Sequence, residues 1–182
     1  VLARAQLLAS MDRYDDALDA YNKVVKYRPD DENTVLGRAE LLLRMDRLED
    51  SIAAYRYAVS RWPDSALALN ALGYTLADRT EEYEEAEELI RKALKYNPNS
   101  PAIIDSLGWV LYKLGDYEAA LEQLQIAYNG FADHEVASHL VDTLVELDRA
   151  EEALELLVAA EEQNPDSELL KDVRQRRFPG AE

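Results

Sequence analysis

The two histidines are the residues with the most specific chemistry in this chain, since the sequence contains no cysteine. His134 and His139 are five residues apart, a spacing that keeps them off the shared helical face on which i,i+4 ligands hold zinc. His139 and Asp142 do share a helical face. Because two side-chain ligands are too few for a metal site, we interpret this pair as hydrogen-bonded rather than metal-binding.

Sequence motifs for nucleophilic, nucleotide-dependent or metal-dependent catalysis do not occur in the chain. It contains no HExxH, CxxC, acidic calcium loop, GxSxG elbow, GxGxxG fingerprint or GxxxxGK[ST] loop. Paired carboxylates occur throughout and therefore identify no acid–base site, which would require a concave, desolvated pair. We predict that the chain is not an enzyme and that it uses no cofactor and no metal.

The charge of the chain opposes several classes of partner. Twenty Lys and Arg stand against 37 Asp and Glu, which gives a formal charge of −17. This charge repels nucleic acid and anionic lipid. No apolar run approaches the ~18 residues of a membrane-spanning helix, so we predict no membrane insertion. The chain starts inside a helical pattern without an initiator methionine, and we therefore expect it to be a fragment.

A helix–turn–helix pattern of about 34 residues recurs along the chain and would position any functional residue. It is clearest in residues 107–127, where apolar residues at helical spacing are interrupted by Gly115-Asp116 and then resume. One small residue of the second helix recurs after 34, 35, 34 and 33 residues, at Ala17, Ser51, Ala86, Ala120 and Ala153. Prolines follow most of these helices, at Pro29, Pro63, Pro98 and Pro165.

This pattern resembles the tetratricopeptide repeat, and the match is best over residues 100–133, where Leu107-Gly108, Ala120 and Ala127 fall at signature positions. The resemblance implies an all-α, right-handed α-solenoid forming one domain over residues 1–182. We place the repeats at about 1–30 (partial), 31–64, 65–99, 100–133 and 134–165, with a C-terminal capping helix over 166–177.

The predicted capping helix has an apolar face of Leu169, Leu170 and Val173. A terminal helix of a solenoid must cover the last repeat and present a polar face to solvent. We expect that polar face to consist of Lys171, Arg174, Gln175, Arg176 and Arg177.

The resemblance also implies a function, because the first helices of such repeats form a concave wall that binds peptides or partner helices. The family's binding positions, carried onto this chain, predict a partner-binding groove of Asn70, Tyr74, Asp105, Trp109, Tyr112, Lys113, Ser138 and Asp142. The alternative for Trp109, which follows Gly108, is that it is a core residue.

We therefore predict a protein-interaction scaffold that binds a peptide or partner-protein segment. Because the wall carries mainly Asp105, Asp142 and Glu146, we expect a basic, neutral or apolar partner rather than an acidic one. Two alternatives stay open. One is self-association into a homodimer through an apolar face that includes Leu2, Leu7 and Leu8. The other is a regulatory or adaptor module for an enzyme whose catalytic part lies elsewhere.

A narrower resemblance concerns residues 70–78 and 104–109. These runs are similar to the C-terminal part of bacterial tetratricopeptide proteins, several of which are outer-membrane lipoproteins or envelope adaptors, and some of which scaffold a periplasmic processing protease. This resemblance implies a location in the periplasm or cell envelope, with the cytoplasm as the alternative.

Overall fold

The computed structural model describes residues 2–180, and within that range the chain forms eleven α-helices and no strand. This confirms the predicted all-α class. The predicted start of the first repeat at Val1 and the last two residues of the predicted domain, 181 and 182, lie outside the described residues. The helices are α1 (Leu2–Ser10), α2 (Tyr14–Tyr27), α3 (Glu32–Arg44), α4 (Leu48–Arg61), α5 (Ala66–Arg79), α6 (Tyr83–Tyr96), α7 (Pro101–Leu114), α8 (Tyr117–Gly130), α9 (His134–Glu146), α10 (Ala150–Gln163) and α11 (Glu168–Arg177).

The helices stack in pairs along the chain. Each of α1, α3, α5, α7 and α9 packs against the helix that follows it, and each second helix packs against the next first helix. The first helices also contact one another in sequence, as α5 with α7, α7 with α9 and α9 with α11. This arrangement is the predicted α-solenoid, in which the first helices form the inner wall.

Glycines mark the places where the two helices of a pair cross most closely. A Cβ on Gly108 would lie 2.5 Å from Leu124 Cγ, and a Cβ on Gly73 would lie 2.7 Å from Ile90 Cγ1. Larger residues at these positions would push the helices apart. The small residues predicted on the second helices, among them Ala86, are fully buried at the same crossings.

Four of the five turns between paired helices contain one residue in the left-handed backbone conformation. Their left-handed residues are Asp12, Asp46, Gly115 and Asp148, with φ of 56°, 57°, 83° and 59°. In each turn the following residue donates to a carbonyl five residues earlier, as Arg13 N does to Leu8 O at 3.0 Å. The turn between α5 and α6, residues 80–82, has no positive φ.

The capping helix α11 covers the last repeat with Leu170 and Val173, both fully buried. Its predicted polar face is wrong for two residues. Arg174 turns inward and donates to Glu161 on α10, and Arg177 reaches Asp142 on α9. The reason is electrostatic: carboxylates on α9 and α10 pair with these guanidinium groups.

The apolar face proposed for self-association is smaller than the sequence indicated. Leu8 of α1 is buried in the apolar cluster that α1 forms with α2, whereas Leu7 is 60% exposed. Leu8 is therefore a core residue of the first helix pair.

Candidate partner-binding groove

The inner wall carries two cavities that join into one groove. The first has a volume of about 510 Å³ and extends from α1 to α5, and the second has a volume of about 500 Å³ and extends from α3 to α9. Both are lined by Glu40, Tyr55 and Ala71. The groove therefore runs continuously along the first four helix pairs to the start of α9.

Three predicted groove residues form one aromatic cluster together with a histidine. The Trp109 indole stacks on His139 at 4.2 Å between centroids and on Tyr112 at 4.9 Å. Tyr74 lies 6.4 Å from the His139 ring. His139 is not among the predicted groove residues, yet the cluster depends on it, because its ring lies against both Tyr74 and Trp109.

His139 is fixed by a buried hydrogen bond between neighbouring first helices. Its Nδ1 donates to Oδ1 of Asp105 at 2.9 Å, and both side chains are buried. The predicted hydrogen bond between His139 and Asp142 is wrong. His139 pairs with Asp105 on the neighbouring helix α7, and Asp142 instead accepts from Arg177 on α11.

The partner of Asp142 is the capping helix. Arg177 donates from Nε to Asp142 Oδ1 at 2.6 Å, from Nη1 to Glu146 Oε1 at 2.8 Å and from Nη2 to the Tyr112 hydroxyl at 2.8 Å. Burial opposes the charge on Arg177, but its hydrogen bond to Asp142 and the nearby carboxylates outweigh this and raise its pKa. The wall at the last repeat is thus occupied by the chain's own arginine.

The eight predicted groove residues differ in exposure. Four are half-buried and line the surface, namely Asn70, Tyr74, Tyr112 and Lys113. The other four are buried, namely Asp105, Trp109, Ser138 and Asp142. The burial of Trp109, which is 8% exposed, agrees with the core alternative that the sequence left open. The role of all eight in binding a partner stays a prediction.

Lys113 and Ser138 make contacts within the wall. The Lys113 ammonium lies 4.7 Å from the centroid of the Trp109 ring, a cation–π contact that covers the indole. The Ser138 hydroxyl donates to the Glu135 carbonyl at 2.7 Å. Ser138 is therefore satisfied within its own helix.

The second cavity is electrically negative. It is lined by four carboxylates, those of Glu40, Asp105, Asp133 and Glu135, and no lysine or arginine lines it within residues 2–180. The Tyr74 hydroxyl donates to Glu135 Oε1 at 2.5 Å. Burial, followed by the charge of Glu135, raises the pKa of Tyr74 above its usual range.

Two buried polar atoms of the predicted groove residues have no hydrogen-bond partner among the described residues. They are Oδ1 of Asn70 and Nε1 of Trp109. A buried polar group without a partner destabilises the fold by about 1–3 kcal/mol.

Residues 2–180 hold no group of three or more His, Asp or Glu side chains arranged to bind a metal ion. None of the eleven helices in that range has the length and apolar character needed to cross a bilayer.

Family models match most of the chain. The model described as tetratricopeptide repeat matches residues 2–44 and 36–101, which together exceed half of the sequence. A second model, described as anaphase-promoting complex, cyclosome, subunit 3, matches residues 79–160. The name of that subunit carries no role over to this chain.

A curated relative is the TPR repeat-containing protein PA4667 of Pseudomonas aeruginosa, which is 40% identical over 139 residues. The match covers 76% of this chain but 24% of that protein, so this chain spans about a quarter of its relative.

Solved structures with the same fold come from several bacteria. TTC0263, a thermophilic TPR protein of Thermus thermophilus, superposes with a TM-score of 0.81 at 24% identity, and the match covers 97% of this chain and 94% of that one. MamA from Desulfovibrio magneticus RS-1 gives 0.71 at 16% identity, covering 91% and 94%. At these identities the likeness shows the fold alone.

Proposed function

This chain belongs to the tetratricopeptide repeat family, and we propose on that premise that it is a non-catalytic scaffold whose groove binds a segment of a partner protein. Proteins of the family are interaction scaffolds and are generally not enzymes. The observation that carries the proposal is the continuous groove along the first helices, with apolar walls and an excess of carboxylates. The proposed partner segment is basic or apolar rather than acidic, because like charges would weaken binding and slow association.

The proposed binding region is the part of the groove built by α1, α3, α5 and α7. At the far end Arg177 already occupies the carboxylates of Asp142 and Glu146. A segment bound between α3 and α9 would contact Tyr74 and the exposed rim residue Phe131, and both line the second cavity. Aromatic side chains of this kind supply large contact areas at protein interfaces.

The experiment is affinity capture from the source cells, in which the whole protein is compared with two variants. Tyr74→Ala removes an aromatic group from the groove. Tyr57→Ala is the matched control, since Tyr57 is 46% exposed on α4 and lines neither groove cavity. We expect Tyr74→Ala to lose partners that the control retains, with circular dichroism showing that both variants fold. Equal capture by both variants would contradict the proposal.

A further inference from the structure

Among the five carboxylate and amide side chains that line the second cavity, two accept from no donor within residues 2–180. Asp105 accepts from His139, Glu135 accepts from Tyr74, and Asp133 accepts from the backbone N–H of Glu135. Glu40 has neither an ion pair nor a hydrogen bond there, and Oδ1 of Asn70 is buried without a partner. The cavity therefore offers the exposed carboxylate of Glu40 on α3 to an incoming donor.

The equivalent position in the last repeat indicates which group would pair with Glu40. Glu40 lies nine residues after Asp31, the N-cap of α3, and Asp142 lies nine residues after Asp133, the N-cap of α9. The two carboxylates are thus at the same place on the wall. Asp142 is occupied by an arginine from the next first helix, whereas Glu40 is not.

The residue that could fill the same place beside Glu40 is small. Arg177 lies ten residues after Ser167, the N-cap of α11, and Thr75 lies ten residues after Ser65, the N-cap of α5. Thr75 lines the second cavity and turns its hydroxyl back to the Ala71 carbonyl at 2.8 Å. The cavity of about 500 Å³ therefore lies at the place that an arginine side chain fills at the last repeat.

From this equivalence we infer that the partner segment places an arginine in the second cavity, with its guanidinium on the carboxylate of Glu40. This inference rests on the proposed function. Arginine fits better than lysine, because its planar fork of N–H donors can form two parallel hydrogen bonds to one carboxylate. Its aliphatic stem would pack on Leu43 and Tyr74, which line the same cavity.

The test selects ligands without assuming a partner. A library of random 12-residue peptides displayed on phage is panned against the whole purified chain, and the affinity of enriched synthetic peptides is measured by fluorescence anisotropy. We expect an arginine flanked by apolar residues in the enriched peptides. Replacing that arginine by citrulline, which has nearly the same shape without the charge, should weaken binding by at least about tenfold.

Variants of the protein test whether the arginine of the peptide binds at Glu40. Glu40→Gln should weaken binding of the arginine peptide by about five- to tenfold and leave the citrulline peptide unchanged. Glu49→Gln is the matched control, because Glu49 is exposed in the first turn of α4 and lines neither groove cavity. An equal effect of both substitutions would mean that the peptide is attracted by the overall negative charge, and the arginine site would be rejected.

The remaining outcomes separate this inference from the proposed function. Peptides whose binding is lost in Tyr74→Ala but is indifferent to citrulline would overturn the arginine site and leave the groove function standing. If no peptide is enriched, or if enriched peptides bind Tyr74→Ala as well as the unaltered chain, both the arginine site and the groove function are wrong.

Discussion

His139 on α9 donates a hydrogen bond to Asp105 on α7 at 2.9 Å, in the interior of the groove wall. Both side chains are buried, at 5% and 6% exposure. The bond connects two first helices that are otherwise joined mainly through α8. It also holds the imidazole in the position where Trp109 stacks on it.

The first prediction concerns this hydrogen bond. Asp105→Ala leaves Nδ1 of His139 buried without an acceptor, and we expect a loss of about 1–3 kcal/mol in the free energy of unfolding. Asp105→Asn keeps an acceptor oxygen of the same shape and should lose less than the alanine variant. Urea unfolding followed by circular dichroism at neutral pH measures both. Equal losses would show that the hydrogen bond contributes nothing beyond the packing of the side chain.

The second prediction concerns the left-handed turn residue Gly115, whose φ is 83° and which has open space around it. Gly115→Asp should change stability little, because aspartate occupies the same turn position at residues 12, 46 and 148. Gly115→Val should cost more than Gly115→Asp by about 1–2 kcal/mol, since a β-branched residue is strained at positive φ. Thermal and urea unfolding of the two variants give the comparison. A valine variant as stable as the aspartate variant would mean that the turn relaxes to another conformation.

The repeated residues of the chain made its fold predictable. A fixed spacing put small residues where helices cross, and Ala86, Ala120 and Ala153 are indeed fully buried. The spacing is informative because the helices of every repeat pack in the same way, so the same kind of residue recurs at each equivalent position of one sequence. The inward position of Arg177 could have been found in the same way. Extending the register to a sixth first helix places the end of α11 on the inner wall.

The residues that do not repeat were only partly predictable. Tyr74, Trp109 and Tyr112 lie together as expected for one wall. Helical spacing predicts the face of the helix on which these side chains lie. Their exposure depends on the side chains of neighbouring helices that cover them, and the spacing does not predict it. Trp109 is covered by His139, Tyr112 and Lys113. His139 does not recur in the repeats, so the periodicity of the sequence did not predict its position beside Trp109.

The third prediction concerns the arginine at the end of the capping helix. Arg177→Ala leaves Asp142 buried without its closest donor, and we expect a loss of about 1–3 kcal/mol in the free energy of unfolding. Arg176→Ala is the control, since Arg176 lies on the same helix but is 46% exposed in its side chain and 3.5 Å from Asp142. It should cost less than about 1 kcal/mol. Urea unfolding measures both, and the assignment fails if Arg176→Ala is the more damaging change.

The last prediction concerns stability at alkaline pH. Burial, followed by the charge of Glu135 for Tyr74 and of Glu40 for Tyr55, raises the pKa of both phenols above their ordinary value of 10.0. In the unfolded chain they ionise near their ordinary value, whereas in the folded chain they stay protonated. Unfolding therefore releases protons above about pH 10, and the free energy of unfolding should fall with rising pH by up to about 1.4 kcal/mol per unit for each tyrosine.

Phenylalanine variants test the cause. Tyr55→Phe and Tyr74→Phe each remove one ionisable group, so each should make the decline between about pH 10 and pH 11.5 less steep, and the double variant should flatten it further. Tyr74→Phe also loses its hydrogen bond to Glu135, which lowers stability at every pH and leaves the slope as the informative quantity. Urea unfolding at a series of pH values gives that slope. An unchanged slope in the double variant would show that other groups govern the alkaline loss of stability, and that burial of these two phenols does not keep them neutral.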